Sequence, residues 1–180
     1  MQFANPFANP ETNISKLSLQ PGMKVTDLGA GSGAYSLALA RRLIPSGKVY
    51  SVDVQKDLLA RLSDLARGQG ISNIETIWGD LDKPGGSKIA DRKMDAAVAS
   101  NILFQLKNAD IFAKEVSRIL KPGGELLLVD WEKGAGALSP PDNLTVNPLQ
   151  ARSLFEKNGF VHLKNFEAGS HHWGMILKKQ

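Results

Sequence analysis

Residues 26–35 read TDLGAGSGAY. Glycines occupy the alternate positions Gly29, Gly31 and Gly33, and Asp27 stands two residues ahead of the first. Glycines in this spacing let a backbone turn sharply and approach a ligand with no Cβ in the way. The flanks supply the context such a loop needs. On its amino side Met23–Leu28 (MKVTDL) follows the Pro21–Gly22 turn and predicts a strand. On its carboxyl side Tyr35–Leu43 (YSLALARRL) predicts a helix that Pro45 and Gly47 stop. A strand, a glycine loop and a helix in that order make the first unit of a ligand-binding α/β fold.

The same alternation continues outward. Lys48–Val54 predicts a second strand. Lys56–Arg67 carries Leu58, Leu62, Leu65 and Ala66 on one helical face. Ile74–Trp78, Met94–Ser100 and Glu125–Trp131 predict three further strands, and Ala109–Leu120 a helix between the last two. Lys121–Gly124 is a helix stop and turn, and Lys133–Val146, rich in Gly, Pro and Ser, a surface loop. Asn147 is placed to cap a helix with Pro148 at its first position. Phe160–Phe166 and Trp173–Lys178 close the chain as strands whose short link, EAGSHH, is too short for a helical crossover. They must be antiparallel. The expected fold is α/β and Rossmann-like: a mostly parallel sheet of seven strands, one antiparallel strand near an edge, helices on both faces.

The 180 residues suit one domain. Its expected parts are an N-terminal lid or helix (1–20), a ligand-binding core (21–131) and a substrate-side loop, last helix and closing strand pair (132–180). There are no cysteines, which excludes disulfides, thiolate metal sites and a cysteine nucleophile. No window approaches 18 apolar residues, and the first dozen residues lack a secretory pattern. A cytoplasmic protein without a membrane partner, monomeric or weakly dimeric, is expected. The net charge of +4 comes from scattered Lys and Arg and is compatible with solvated faces or with RNA.

Ligands of such sheets bind beyond the carboxyl ends of the strands. Those ends carry Asp27, Asp53, Asp80, Ser100–Asn101 and Asp130–Trp131. Gly29-x-Gly31-x-x-Ala34 with Asp53 also fits a dinucleotide fingerprint. Asp27 argues against it, because a carboxylate beside a pyrophosphate is repelled. A ligand with a ribose, an adenine and a cationic end uses every acid. Asp53 accepts from the ribose hydroxyls, Asp80 from the adenine amine, and Asp27 pairs with an ammonium, while the helix start at Ser32–Tyr35 receives a carboxylate. S-adenosylmethionine has all of these parts.

At this point the chain resembles the class I S-adenosylmethionine-dependent methyltransferases, in the group that includes ubiquinone/menaquinone-biosynthesis and arsenite-type enzymes. VTDLGAGSGAYS resembles their first motif, VYSVDV the acidic second-strand motif, IWGDLD the third, MDAAVASNILFQL the fourth and LKPGGELLLVDW the segment after it. The resemblance runs from about Pro10 to Lys178. It implies that Asp27, Gly29, Ala30, Gly31 and Gly33 hold the methionine part. It places Asp53 and Val54 at the ribose and adenine edge, Asp80 and Leu81 at the adenine, and Ser100 near the transferring methyl. The product is then S-adenosylhomocysteine, and no metal is expected.

Nothing in the sequence names a catalytic base, and in-line methyl transfer does not require one. Ser100, Asn101, Asp130, Trp131, His171 and His172 are the candidates for the substrate cavity, with the Gly134–Val146 loop above it. Asn101 could equally cap the helix that follows it. His171 and His172 are adjacent, so on a strand they face opposite ways and cannot share a metal. A small molecule is the first expectation for the methyl acceptor, with a protein lysine or RNA as the alternative. A non-catalytic binding subunit and a NAD-dependent enzyme fit less well, the first because the motif residues are intact. Asn101-Ile102-Leu103-Phe104 lacks the prolines that amino methyltransferases of nucleobases carry there. Phe3 and Phe7 could fold over the cofactor as a lid.

Overall fold

The computed structural model describes residues 8–135 and 139–180; Phe3 and Phe7 lie outside them. Seven strands form one sheet: β1 (Lys24–Leu28), β2 (Lys48–Asp53), β3 (Ile74–Trp78), β4 (Met94–Ser100), β5 (Leu120–Trp131), β6 (Phe160–Gly169) and β7 (His172–Lys179). Their order is β3-β2-β1-β4-β5-β7-β6. Pairs from β3 through β5 are parallel, and β7 runs antiparallel to both β5 and β6. The reversed strand therefore sits one place in from the edge. The order changes direction at β1 and β4, so the crevice opens where β1 delivers Asp27 and the glycines.

Five helices cover the two faces. α1 (Pro10–Ile14) and α2 (Ala34–Arg42) pack with Val25, Val49, Val98 and Val129 on one side, where Leu37 of α2 also meets Leu62 and Ala66 of α3 (Lys56–Gly68). α4 (Ala109–Ile119) and α5 (Pro148–Lys157) pack Phe112, Val116 and Phe155 with Leu126 and Leu128 on the other. The alternation of side chains along β5 sends Leu127 and Val129 to the first core and Leu126 and Leu128 to the second. The rings of Phe112 and Phe155 meet edge to face at 6.3 Å. Asn147 caps α5 reciprocally with Gln150, and Pro148 follows it, as the residue types require.

Two boundaries differ from expectation. β5 begins at Leu120, which pairs with Met94 before the chain bulges through Lys121–Gly124 and resumes pairing at Glu125 with Ala96. Gly123, at φ +80°, makes that detour possible. The link between β6 and β7 shrinks from six residues to Ser170–His171, because Glu167–Gly169 and His172 join the ladder. His171 takes a left-handed φ of 66° in this tight turn.

Candidate active site

A cleft opens at the carboxyl ends of β1, β2 and β4. It has two lobes, of about 200 Å³ and 270 Å³, which share Gly29, Gly31, Asn101 and Gln105. Asp53, Val54, Asp80 and Leu81 border the smaller lobe. Asp27, Ala30, Tyr35 and Ser100 border the larger, together with Ala8 and Pro10 of the N-terminal segment. Every residue expected to hold the cofactor borders one lobe or both, with the exception of Gly33.

The glycines divide their labour. A Cβ on Gly33 would lie 2.4 Å from Leu62 Cδ1, so this glycine seats the start of α2 against α3. A Cβ on Gly29 would meet Ile102 Cδ1 at 2.7 Å. Only at Gly31 is the space open, its nearest neighbour being the Gly29 carbonyl at 3.9 Å. Gly31 is the glycine whose bare backbone faces the cleft. Its φ of +52° adds strain to any side chain placed there.

The acids sit in unlike settings. Asp27 is buried and its Oδ2 accepts from Ser36 Oγ at 2.6 Å. Burial pushes its pKa up to about 6; the Ser36 hydrogen bonds oppose that rise, and the charge of Asp53 adds to it. Asp53 braces the loop, accepting from Gly31 N and from Gln55 N, both at 2.8 Å. Asp80 is half-exposed beside Lys83 Nζ at 3.1 Å, and that ammonium holds its carboxyl below the usual range. Asp82 instead accepts from Lys107 N and Asn108 N, tying the loop to the start of α4.

Among the described residues no cation stands beside Asp27, and a buried carboxylate without one is electrostatically uncompensated. Its natural complement in the larger lobe is a positively charged ligand group. The smaller lobe, with an acid at the β2 end and apolar Leu81 and Ile102, suits a nucleoside. Because a cationic ligand needs Asp27 ionised, its affinity should be constant above the pKa and fall as pH drops through about 6. Calorimetric titration of S-adenosylhomocysteine between pH 5 and 8 checks this; a flat profile would show that Asp27 does not pair with the ligand.

The substrate-side candidates separate. Ser100 and Asn101 border the cleft. Asn101 does not cap the turn after it: that turn, Leu103–Gln105, starts from Ile102 without a side-chain cap. Asn101 has φ 55° and a buried Oδ1 without a partner. Asp130 lines neither lobe. It is fully buried and accepts from Leu103 N at 2.9 Å and Trp131 N at 2.8 Å. It thus fixes the turn that carries Ile102 and Gln105, and burial pushes its pKa up to about 6 against those hydrogen bonds. Replacement by alanine leaves amides without an acceptor and should cost about 1–3 kcal/mol in a urea titration.

Trp131 walls a separate cavity of about 440 Å³, with Trp173 and the Asp142–Pro148 segment. This cavity shares no lining residue with the cleft. His171 is exposed in the turn, and its backbone carbonyl accepts from Glu132 N. His172 is buried, its ring 4.1 Å from that of Trp131. Among the described residues no group of three His, Asp or Glu could hold a metal.

Sequence reading missed three residues. Gln105 borders both lobes. Tyr35, expected only to offer its N–H at the helix start, borders the larger lobe, and its hydroxyl accepts from Asn13. Asn13 is buried on α1 and donates to Tyr35 Oη at 2.8 Å and to the Ala168 carbonyl at 2.9 Å.

Comparison with known proteins gives the family and the fold. The chain belongs to the methyltransferase domain family, which it matches over residues 19–177, and so to the class I S-adenosylmethionine-dependent methyltransferases. It is 32% identical over 131 residues to the ubiquinone/menaquinone biosynthesis C-methyltransferase of Bordetella parapertussis, covering 71% of this chain and 48% of that protein. It is 32% identical over 117 residues to the arsenite methyltransferase of Aquipseudomonas alcaligenes, covering 63% of this chain and 34% of the other. The chain thus spans about half the length, or less, of these curated relatives. A crystal structure of an S-adenosylmethionine-dependent methyltransferase from Aquifex aeolicus has the same fold, with a TM-score of 0.87 at 24% identity, covering 96% of this chain and 90% of that one.

Proposed function

We propose that the chain transfers the methyl group of S-adenosylmethionine to a nucleophile on a small molecule by direct in-line displacement. The observation that carries this reading is the buried Asp27 carboxylate, placed without a cation in a lobe bounded by Gly29–Gly31 and joined to a nucleoside-sized lobe behind Asp53. Asp27 would pair with the ammonium of the methionine part. Asp53 and the backbone of Val54 would meet the ribose and the adenine edge, and Asp80 with Leu81 the adenine. Gly31 admits the ligand closely, and Ser100 lies toward the methyl end. The sulfonium supplies an electrophilic methyl; these residues bind, orient and exclude water.

Ala8 and Pro10 at the larger lobe support residues 1–20 as the covering segment, with 21–131 as cofactor core and 132–180 on the substrate side. The relatives' names, a ubiquinone/menaquinone biosynthesis C-methyltransferase and an arsenite methyltransferase, support a small acceptor. A cavity walled by Trp131 and Trp173 is of a size to take one.

Thermal shift separates the cofactors. S-adenosylhomocysteine at 100 times its Kd should add about 2.7 kcal/mol, and NAD nothing. No shift with the former would sink the reading. Radiolabelled methyl transfer into a fractionated lysate then finds the acceptor, and label in protein or RNA would overturn the small-molecule assignment. In the same assay Gly31→Ala should weaken cofactor binding about tenfold, or 1.4 kcal/mol, through strain and lost approach, while the fold persists.

A further inference from the structure

S-adenosylmethionine is two parts joined at one atom. Its sulfur links the methionine chain to the adenosine and carries both the positive charge and the methyl group. With the methionine part in the larger lobe and the adenosine in the smaller, the sulfonium lies at the neck where the lobes meet. Four residues border both lobes: Gly29, Gly31, Asn101 and Gln105. The glycines have no side chain, and the side-chain oxygen of Asn101 is buried. Gln105 is exposed, so the accessible side-chain oxygen among these four is its own.

Chemistry settles which way that amide is turned. Gln105 Nε2 lies 2.7 Å from the Asn101 carbonyl, and a carbonyl can only accept. The nitrogen is therefore the atom bound to the backbone, and Oε1 is the free end. Among the described residues Oε1 has no donor. The turn that carries it is held from several sides. Leu103 N donates to the buried Asp130 at 2.9 Å, and Gln105 N to the Ile102 carbonyl at 2.9 Å. Ile102 lies against Gly29 on the opposite wall, where a Cβ would come within 2.7 Å of its Cδ1. Asn101 itself holds a left-handed φ of 55°, a strained conformation that persists where the surroundings enforce it.

A preset amide oxygen is the negative end of a dipole that need not reorganise when a cation arrives. Resting on the methyltransfer reading above, we propose that Gln105 is a specificity-determining residue whose Oε1 meets the sulfonium and favours the charged methyl donor over the neutral thioether product. Donor and product share the ammonium, the carboxylate, the ribose and the adenine, so the groups that bind those parts tighten both. Asp27 and Asp53 attract the sulfonium from either lobe as well, and they stay in place when Gln105 is changed. Transfer of the methyl removes the charge at sulfur, Oε1 loses its complement, and fresh donor displaces the product.

Isothermal titration calorimetry of the wild-type chain and of Gln105→Met tests this with three ligands. Met keeps the length of the side chain and lacks the amide oxygen. S-adenosylmethionine should bind the variant about five- to tenfold more weakly, and S-adenosylhomocysteine about as tightly as it binds wild type. Sinefungin, with an ammonium-bearing carbon in place of the methylated sulfur, should lose affinity as the donor does. Equal losses for donor and product would show that Gln105 only shapes the turn, and an unchanged ratio would show that its oxygen does not meet the sulfonium; either overturns the proposal. So does sinefungin that keeps its affinity, because the preference would then be for the bulk of the methyl and not for charge. Failure of the cofactor reading is seen separately, as no binding of any of the three to the wild-type chain.

Discussion

Asp27→Asn is expected to raise the thermal midpoint of the ligand-free protein and to abolish its stabilisation by S-adenosylhomocysteine. The two effects have one cause. Asp27 titrates near 6 in the fold, against an ordinary value of 3.8, so the folded state binds its proton more tightly than the unfolded state does. Its contribution to stability is therefore complete below the unfolded value and is lost as pH rises through about 6. At pH 7 the ionised group weakens the fold by about 3 kcal/mol. An amide of the same shape removes that cost and still accepts the Ser36 hydroxyl. A chain of this length should gain about 6–12 °C.

The same change removes the partner of the ligand's ammonium. Losing one member of a buried charge pair costs about 2–5 kcal/mol, so affinity should fall about a hundredfold or more. Differential scanning fluorimetry with and without S-adenosylhomocysteine reads both. A variant that melts lower when ligand-free, or still responds to ligand, would contradict the role given to Asp27. The residue is kept at the expense of the empty fold because the ligand repays its charge.

Much of this was legible in order and spacing. The glycine stretch, the acids at successive strand ends and the short final link point to the mostly parallel sheet, the crevice and the reversed strand, because each rests on a local rule that tertiary packing obeys. What the sequence hid depends on contacts between distant residues. Gly33 looks like its two companions, and only Leu62, nearly thirty residues on, shows that it serves packing. Asp130 looks like the other rim acids, yet the turn at Ile102–Leu103 folds back over β5 and takes its Oδ2, while the amide of Trp131 takes Oδ1. Asn13 has no local pattern at all; its role exists because the β6–β7 hairpin brings Ala168 to α1. Glu115 lies within the apolar face of α4, where a charge reads as solvated. It is instead buried, held by Arg118 at 2.8 Å.

That carboxylate explains why Gly86→Ala should be among the most damaging single changes to the cleft. Glu115 accepts from Gly85 N at 3.1 Å, Ser87 N at 3.0 Å and Ser87 Oγ at 2.5 Å, which pins the loop on either side of Gly86. A Cβ on Gly86 would lie 1.7 Å from the Asp80 carbonyl oxygen and 2.8 Å from that of Lys83. Both obstacles are backbone, and the pinned loop cannot slide to relieve them. The clash therefore falls on Asp80–Lys83, which carries Asp80 and Leu81 along the smaller lobe and is itself held by Asp82 at Lys107 N and Asn108 N. The expected cost is about 2–4 kcal/mol in urea unfolding, with at least a tenfold loss of S-adenosylhomocysteine affinity in the fraction that folds. Gly85→Ala is the control. Its Cβ would enter open space, so only the strain of φ +68° remains, about 1 kcal/mol, and the lobe should stay intact. Equal losses from the two substitutions would show that the loop is soft and that contact between Gly86 and Asp80 does not shape the nucleoside lobe.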